Sequence, residues 1–166
     1  MSQATTATAV QTKIVEGRRE LRFETLDDIL DDAQAMATAG WTVLGNWSFG
    51  QACFHIAKTI EAGIDGMDYK APFFIRLIVG LRKKKMLSKP FPAGFKPPRP
   101  ISLRLETSDP VSDEDGVAML EKAIHRFKNE SKRSPSPVFG HLTDEEWIKL
   151  HCRHSELHFS FFKAKA

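Results

Sequence analysis

Apolar positions recur at helical spacing in several long stretches, and most begin on a residue suited to capping. Thr25 caps a helix to Ala39 whose inner face carries Leu26, Ile29, Leu30, Ala33, Met36 and Ala37, and Gly40 ends it. Ser48 caps a second, ending near Gly63 or Gly66, with Phe49, Cys53, Ile56, Ile60 and Ile64 as its core stripe. Pro72 opens a third, from Phe73 to about Met86. Ser112 opens another to about Asn129, with Val117, Leu120, Ile124 and Phe127 inward. The stretch from Thr143 to Phe162 reads as one helix, opened by a capping box of Thr143 and Glu146. Its apolar face holds Trp147, Leu150, Leu157, Phe161 and Phe162; Lys149, Arg153, Glu156, Ser160 and Lys163 fall opposite. Between the helices, residues 101–106 alternate apolar and charged, which predicts a short strand that could pair with 18–23. The Pro-rich stretch 87–100 predicts an ordered surface loop, and 131–140 the loop before the last helix. The class is all-α, a helical bundle with additional short helical or extended segments.

Composition narrows the setting. The chain of 166 residues suits one domain over 13–166, after a Ser/Thr/Ala/Gln-rich tail over 1–12 that lacks periodicity and predicts disorder. The net charge of +3 is too mild to demand a polyanion partner. Two cysteines, Cys53 and Cys152, fit small buried residues better than a disulfide. No signal-peptide pattern and no membrane-length apolar run is present, so a cytoplasmic setting without a membrane partner is the expectation.

The last helix carries three of the six histidines. His154 and His158 lie one turn apart in the middle of its apolar face, between Trp147 and Phe161. His151 and His158 are roughly 10 Å apart along the axis, too far to share one ion. His154 and His158 can converge within the 2.1 Å or so of a metal–imidazole bond, so a third ligand must come from elsewhere. His125 shares a face with Glu121, Lys122 and Asn129, and His141 stands in a loop about three turns from His154. His55 sits in mid-helix among Gln51, Ala52, Thr59 and Ala62, and is the best third ligand. His151 is then a pocket or supporting residue or an alternative ligand, and Gln51 a further pocket or supporting residue. Ser155 occupies the place where a zinc protease motif needs Glu, which excludes that chemistry.

The block Trp47-Ser-Phe-Gly-Gln51-Ala-Cys-Phe-His55, together with His154-xxx-His158 near the end, resembles the DinB/YfiT-like superfamily, in a bacterial branch without assigned function. The similarity runs from about Arg19 to Phe162. The resemblance implies a four-helix bundle holding a divalent metal, zinc or nickel, on three histidines. By matching position these are His55, His154 and His158. It also implies a metal-dependent thiol transferase, since relatives use bacillithiol or mycothiol and include a maleylpyruvate isomerase. Metal-dependent hydrolysis is the neighbouring reaction. A non-catalytic, metal-stabilised bundle with a stress-related or binding role is the alternative. A low-molecular-weight thiol is the expected partner, and pairing through exposed helix faces makes a homodimer a further expected state.

From Arg76 to Arg104 there are nine cations and no Asp or Glu. A solvated surface explains them most simply. With only Phe91 and Phe95 interleaved, nucleic acid is not the expected partner.

Overall fold

Thr25, Ser48 and Thr143 each close a capping box, their side chains accepting from the backbone three residues on while that residue's side chain reaches back. These caps fix the starts of α1 (Leu26–Ala39), α2 (Phe49–Asp65) and α6 (Asp144–Phe159) in a computed structural model of the chain. The structure describes residues 9–94 and 99–165. The remaining helices are α3 (Phe73–Leu87), α4 (Arg99–Leu105) and α5 (Asp113–Asn129). A short antiparallel ribbon joins β1 (Trp41–Val43) to β2 (Phe162–Ala164), in the register Trp41 to Ala164 and Val43 to Phe162. Gly40 ends α1 at φ 71°, a conformation that favours glycine, and leads directly into β1.

One core is shared by α1, α2, α5 and α6. Ile29 and Ala33, then Phe49, Cys53, Ile56 and Ile60, then Leu120, Ile124 and Phe127, then Trp147 and Leu157 all belong to it. The closest approach is between α2 and α5. A Cβ on Gly116 would sit 2.6 Å from the Gly50 carbonyl oxygen, and one on Gly50 would collide with the Val111 and Ser112 carbonyls. Gly116→Ala is expected to force the helices apart and cost about 2 kcal/mol or more, which lowers Tm by roughly 4–8 °C. Thermal unfolding followed by circular dichroism checks this; a Tm at or above wild type would mean the helices yield freely.

The helix boundaries of α1, α2, α3 and α5 agree with the hydrophobic pattern to within a residue or so. Three expectations are corrected. Residues 99–105 are helical, not a strand. Pro100 suits a first helical turn, and the spacing of Ile101 and Leu105 buries one side of that helix while Leu103 and Arg104 face out. Residues 18–23 consequently have no strand to pair with, and lie along α6 instead: Arg19 N–H donates to the Ser160 carbonyl at 2.9 Å. Finally, α6 stops at Phe159 because Phe162–Ala164 turns back to pair with β1. In the tail, Val10 exchanges two backbone hydrogen bonds with the Asn46 side chain, and Thr12–Ile14 form a 3-10 turn; residues 1–8 lie outside the described residues. The loop expected over 87–100 reaches α4 by Arg99, with 95–98 likewise outside.

The C-terminal part of the polar face of α6 is buried too, while Lys149 is exposed. Arg153, Glu156 and Ser160 are as deeply enclosed as the apolar residues. The segment Arg18–Phe23 covers them, with the Arg18 guanidinium donating to Ser160 Oγ at 2.6 Å and the Phe23 N–H donating to Glu156 Oε1 at 2.6 Å.

Candidate metal centre

Two helices and one ribbon build the site. His55 lies in mid-α2, and His154 and His158 occupy successive turns of α6. Packing of α2 on α6 brings the three rings together, with centroids 4.6–4.9 Å apart. The meeting point is the Nε2 atoms. His154 Nε2 is 3.2 Å from His55 Nε2 and 2.9 Å from His158 Nε2. One ligand atom from each of the three lies within 4.8 Å of the others, so the set could hold a metal ion.

Protons cannot satisfy this arrangement. His55 Nδ1 is 3.0 Å from the Leu105 carbonyl oxygen, which only accepts, so Nδ1 carries the hydrogen and Nε2 a lone pair. With His158 as donor to His154, the lone pairs of His154 and His55 face each other; with His154 as donor, its single N–H lies along one contact and leaves the other without a hydrogen. A cation satisfies all three. Imidazoles around a tetrahedral zinc are about 3.3 Å apart, and roughly 2.9 Å apart at a right angle, for bonds of about 2.0–2.1 Å. The observed spacings fall in that range.

Burial favours the ligand form. It lowers the His55 pKa to about 4, against the smaller effect of the bond to Leu105. Burial, then the neighbouring imidazoles, holds His154 well below the ordinary value, and burial with the nearby His55 does the same for His158. All three are therefore neutral near pH 7, as coordination requires.

Trp47 closes one side. The ribbon, with Leu44 N–H donating to the Phe161 carbonyl at 2.8 Å, brings the loop before α2 to the end of α6. There the indole stacks on His158 at 5.1 Å and 11°, and tilts against His55 at 4.9 Å. A cavity borders it, lined by Asn46, Gln51, Ser102, Glu106 and Thr107. Gln51 stands one turn before His55, but its side chain is engaged: Oε1 accepts from Ser48 N–H, and Nε2 donates to the Asp109 carbonyl at 3.1 Å. It lines the cavity and braces the loop after α4.

His151 is elsewhere. It stacks on Trp147 at 5.3 Å and meets Phe127 edge-on at 5.5 Å, apart from the three-histidine set. His125 and His141 are exposed. Burial lowers the His151 pKa to about 3, with Arg133 adding to the effect. The folded pKa lies below that of the unfolded chain, so this histidine's contribution is intact above about pH 6.5. It is lost as pH falls from there toward 3, at about 1.4 kcal/mol per pH unit. His151→Leu is expected to flatten the acid limb of a stability–pH curve by about that slope. Urea titrations between pH 4 and 7 measure it, and an unchanged slope would show that His151 is not the group responsible.

Two parts of the site were not read from the sequence. The Leu105 carbonyl is a backbone atom and leaves no side-chain signal. Trp47 is visible only as the first residue of the block leading to His55, and its stacking on His158 depends on the distant pairing of β1 with β2.

A family described as "Protein of unknown function (DUF1569)" matches residues 15–165. No curated protein and no solved structure matches the chain. The family description names neither DinB nor YfiT, while the all-helical architecture is compatible with that superfamily.

Proposed function

We propose that this chain, which belongs to the DUF1569 family, is a metal-dependent thiol transferase or hydrolase that holds a divalent ion, zinc or nickel, on His55, His154 and His158. The observation that carries the reading is the convergence of three Nε2 atoms that protons cannot satisfy. A divalent ion in a site with open positions lowers the pKa of a bound thiol or water, producing a nucleophile near neutral pH. The chain supplies the rest. The Leu105 carbonyl fixes the tautomer and orientation of His55. Trp47 excludes water from one side of the imidazoles and stiffens His158. The cavity beside it offers neutral polar groups and one carboxylate, Glu106. The resemblance to DinB/YfiT-like proteins points the same way, toward a low-molecular-weight thiol.

Glu106 favours hydrolysis as the second branch, because a water nucleophile needs a base and a metal-bound thiol does not. Turnover of a thiol-reactive electrophile with a panel of small thiols, before and after removal of metal, tests the proposal. Metal-dependent product with a thiol supports transfer. Ester or amide hydrolysis that falls on Glu106→Gln supports the second branch. Full metal occupancy without turnover of either kind would replace catalysis by an ion that joins α2 to α6.

A further inference from the structure

The third helix is mounted inside out. Its inward side carries Arg76, Val79, Lys83, Met86 and Leu87, with Lys83 paired to Glu146 at 2.7 Å. Its outward side carries Phe73, Phe74, Leu77, Ile78 and Leu81, which are 78%, 63%, 53%, 55% and 82% exposed. At 100° per residue these five fall on one face spanning the first three turns. A helix that packs only to cover a core directs such residues inward. Five large apolar side chains left contiguous in solvent mark a surface that meets something apolar.

The charges around that face identify the partner. Arg82, Lys84, Lys85 and Lys89 are all exposed, and Lys84 and Lys85 flank the apolar face at its C-terminal end. No Asp or Glu occurs anywhere from Tyr69 to Leu105. A second copy of the chain fits poorly. Set antiparallel, it would bring Lys84 and Lys85 against the first turn of the other helix, which carries the positive end of the dipole and no carboxylate. Set parallel, it would bring cations against cations. An anionic bilayer surface satisfies both features: the Phe and Leu side chains enter the acyl boundary and the lysines snorkel to the headgroups.

We propose that α3 is a membrane-surface element that docks the protein on anionic phospholipid. The sequence-based expectation of no membrane partner rested on the absence of a spanning segment, and among the described residues no helix is long and apolar enough to cross a membrane. Lying in the interface requires no such length.

The test is co-sedimentation of the full chain with vesicles of phosphatidylcholine alone or mixed with phosphatidylglycerol. Binding is expected with the anionic mixture, weak with phosphatidylcholine, and lost as salt rises. Lys84→Gln with Lys85→Gln is expected to reduce partitioning on the order of 20-fold, since each cation near an anionic surface contributes about fivefold. Leu77→Glu with Leu81→Glu is expected to abolish it without lowering Tm, because both side chains are already in solvent. Leu81→Trp provides an independent readout: its emission should be quenched by brominated lipid, while Trp41, Trp47 and Trp147 stay unquenched. Wild-type protein that stays in the supernatant with anionic vesicles overturns the proposal. So does a lipid-independent dimer that Leu77→Glu dissociates, which would assign the face to a second copy.

Discussion

Protein carrying His158→Ala is expected to emerge from purification without metal, and wild type with one ion per chain. The expectation follows from the position of His154, whose Nε2 faces both of the others, at 3.2 Å from His55 and 2.9 Å from His158. Removing His158 leaves two imidazoles from different helices, a set that does not hold a divalent ion against competing water and chelator. The consequence for stability is linkage. An ion that binds only the folded chain stabilises it by about 4 kcal/mol when present at about 1,000 times its Kd. For a chain of this size that corresponds to roughly 8–16 °C in Tm. Chelator should therefore lower the wild-type Tm by that order and leave the His158→Ala Tm unmoved. His125→Ala removes an exposed imidazole outside the set and should retain both the ion and the chelator response. Elemental analysis of untagged protein with paired melting curves makes the comparison. Stoichiometric metal in His158→Ala would refute the ligand assignment, and a metal-free wild type that chelator leaves unchanged would refute the centre itself.

What the sequence made legible was what depends on local chemistry. Capping boxes at Thr25, Ser48 and Thr143 are short-range patterns, and the helices begin where they stand. The His154–His158 pair is set by one helical turn, and choosing His55 needed a third ligand from elsewhere together with the charged neighbours of His125 and the loop position of His141. The missing parts are long-range. Nothing in the amphipathic pattern of α6 shows that a segment more than a hundred residues earlier covers its polar side, so Arg153 and Glu156 read as solvated. The alternation over 101–106 has the period of a strand, yet among the described residues no strand lies beside it to satisfy its backbone, and the helix satisfies those groups internally. The outward apolar face of α3 was not legible either, because periodicity shows that a face exists, not which way it points.

Glu156→Ala is expected to be the most damaging single change outside the metal centre. Arg153 and Glu156 lie one turn apart on α6, their charged atoms 2.8 Å apart, and both side chains are almost fully enclosed. Each also bonds the backbone of Phe23: the Arg153 guanidinium donates to its carbonyl, and Glu156 Oε1 accepts from its N–H. The pair thus serves the extended segment as a neighbouring strand would, and it holds the Phe23 ring edge-on to Phe159. Burial raises the Glu156 pKa and the Phe23 N–H opposes the rise. Truncating Glu156 leaves a buried guanidinium with no counter-charge and an amide with no acceptor, at a cost of about 3–5 kcal/mol. The expected fall in Tm is roughly 6–20 °C. Replacing both members by apolar residues of similar volume, Arg153→Met with Glu156→Leu, should recover much of that loss, since the penalty arises from the orphaned charge and not from the missing attraction. A double-mutant cycle on unfolding free energies separates the two contributions. Glu156→Ala within about 1 kcal/mol of wild type would show that the guanidinium reaches solvent when its partner is removed. Because Ser160 and the last turn of α6 are tied to the same segment, the variant is also expected to bind metal more weakly than wild type, with His55, His154 and His158 all still present.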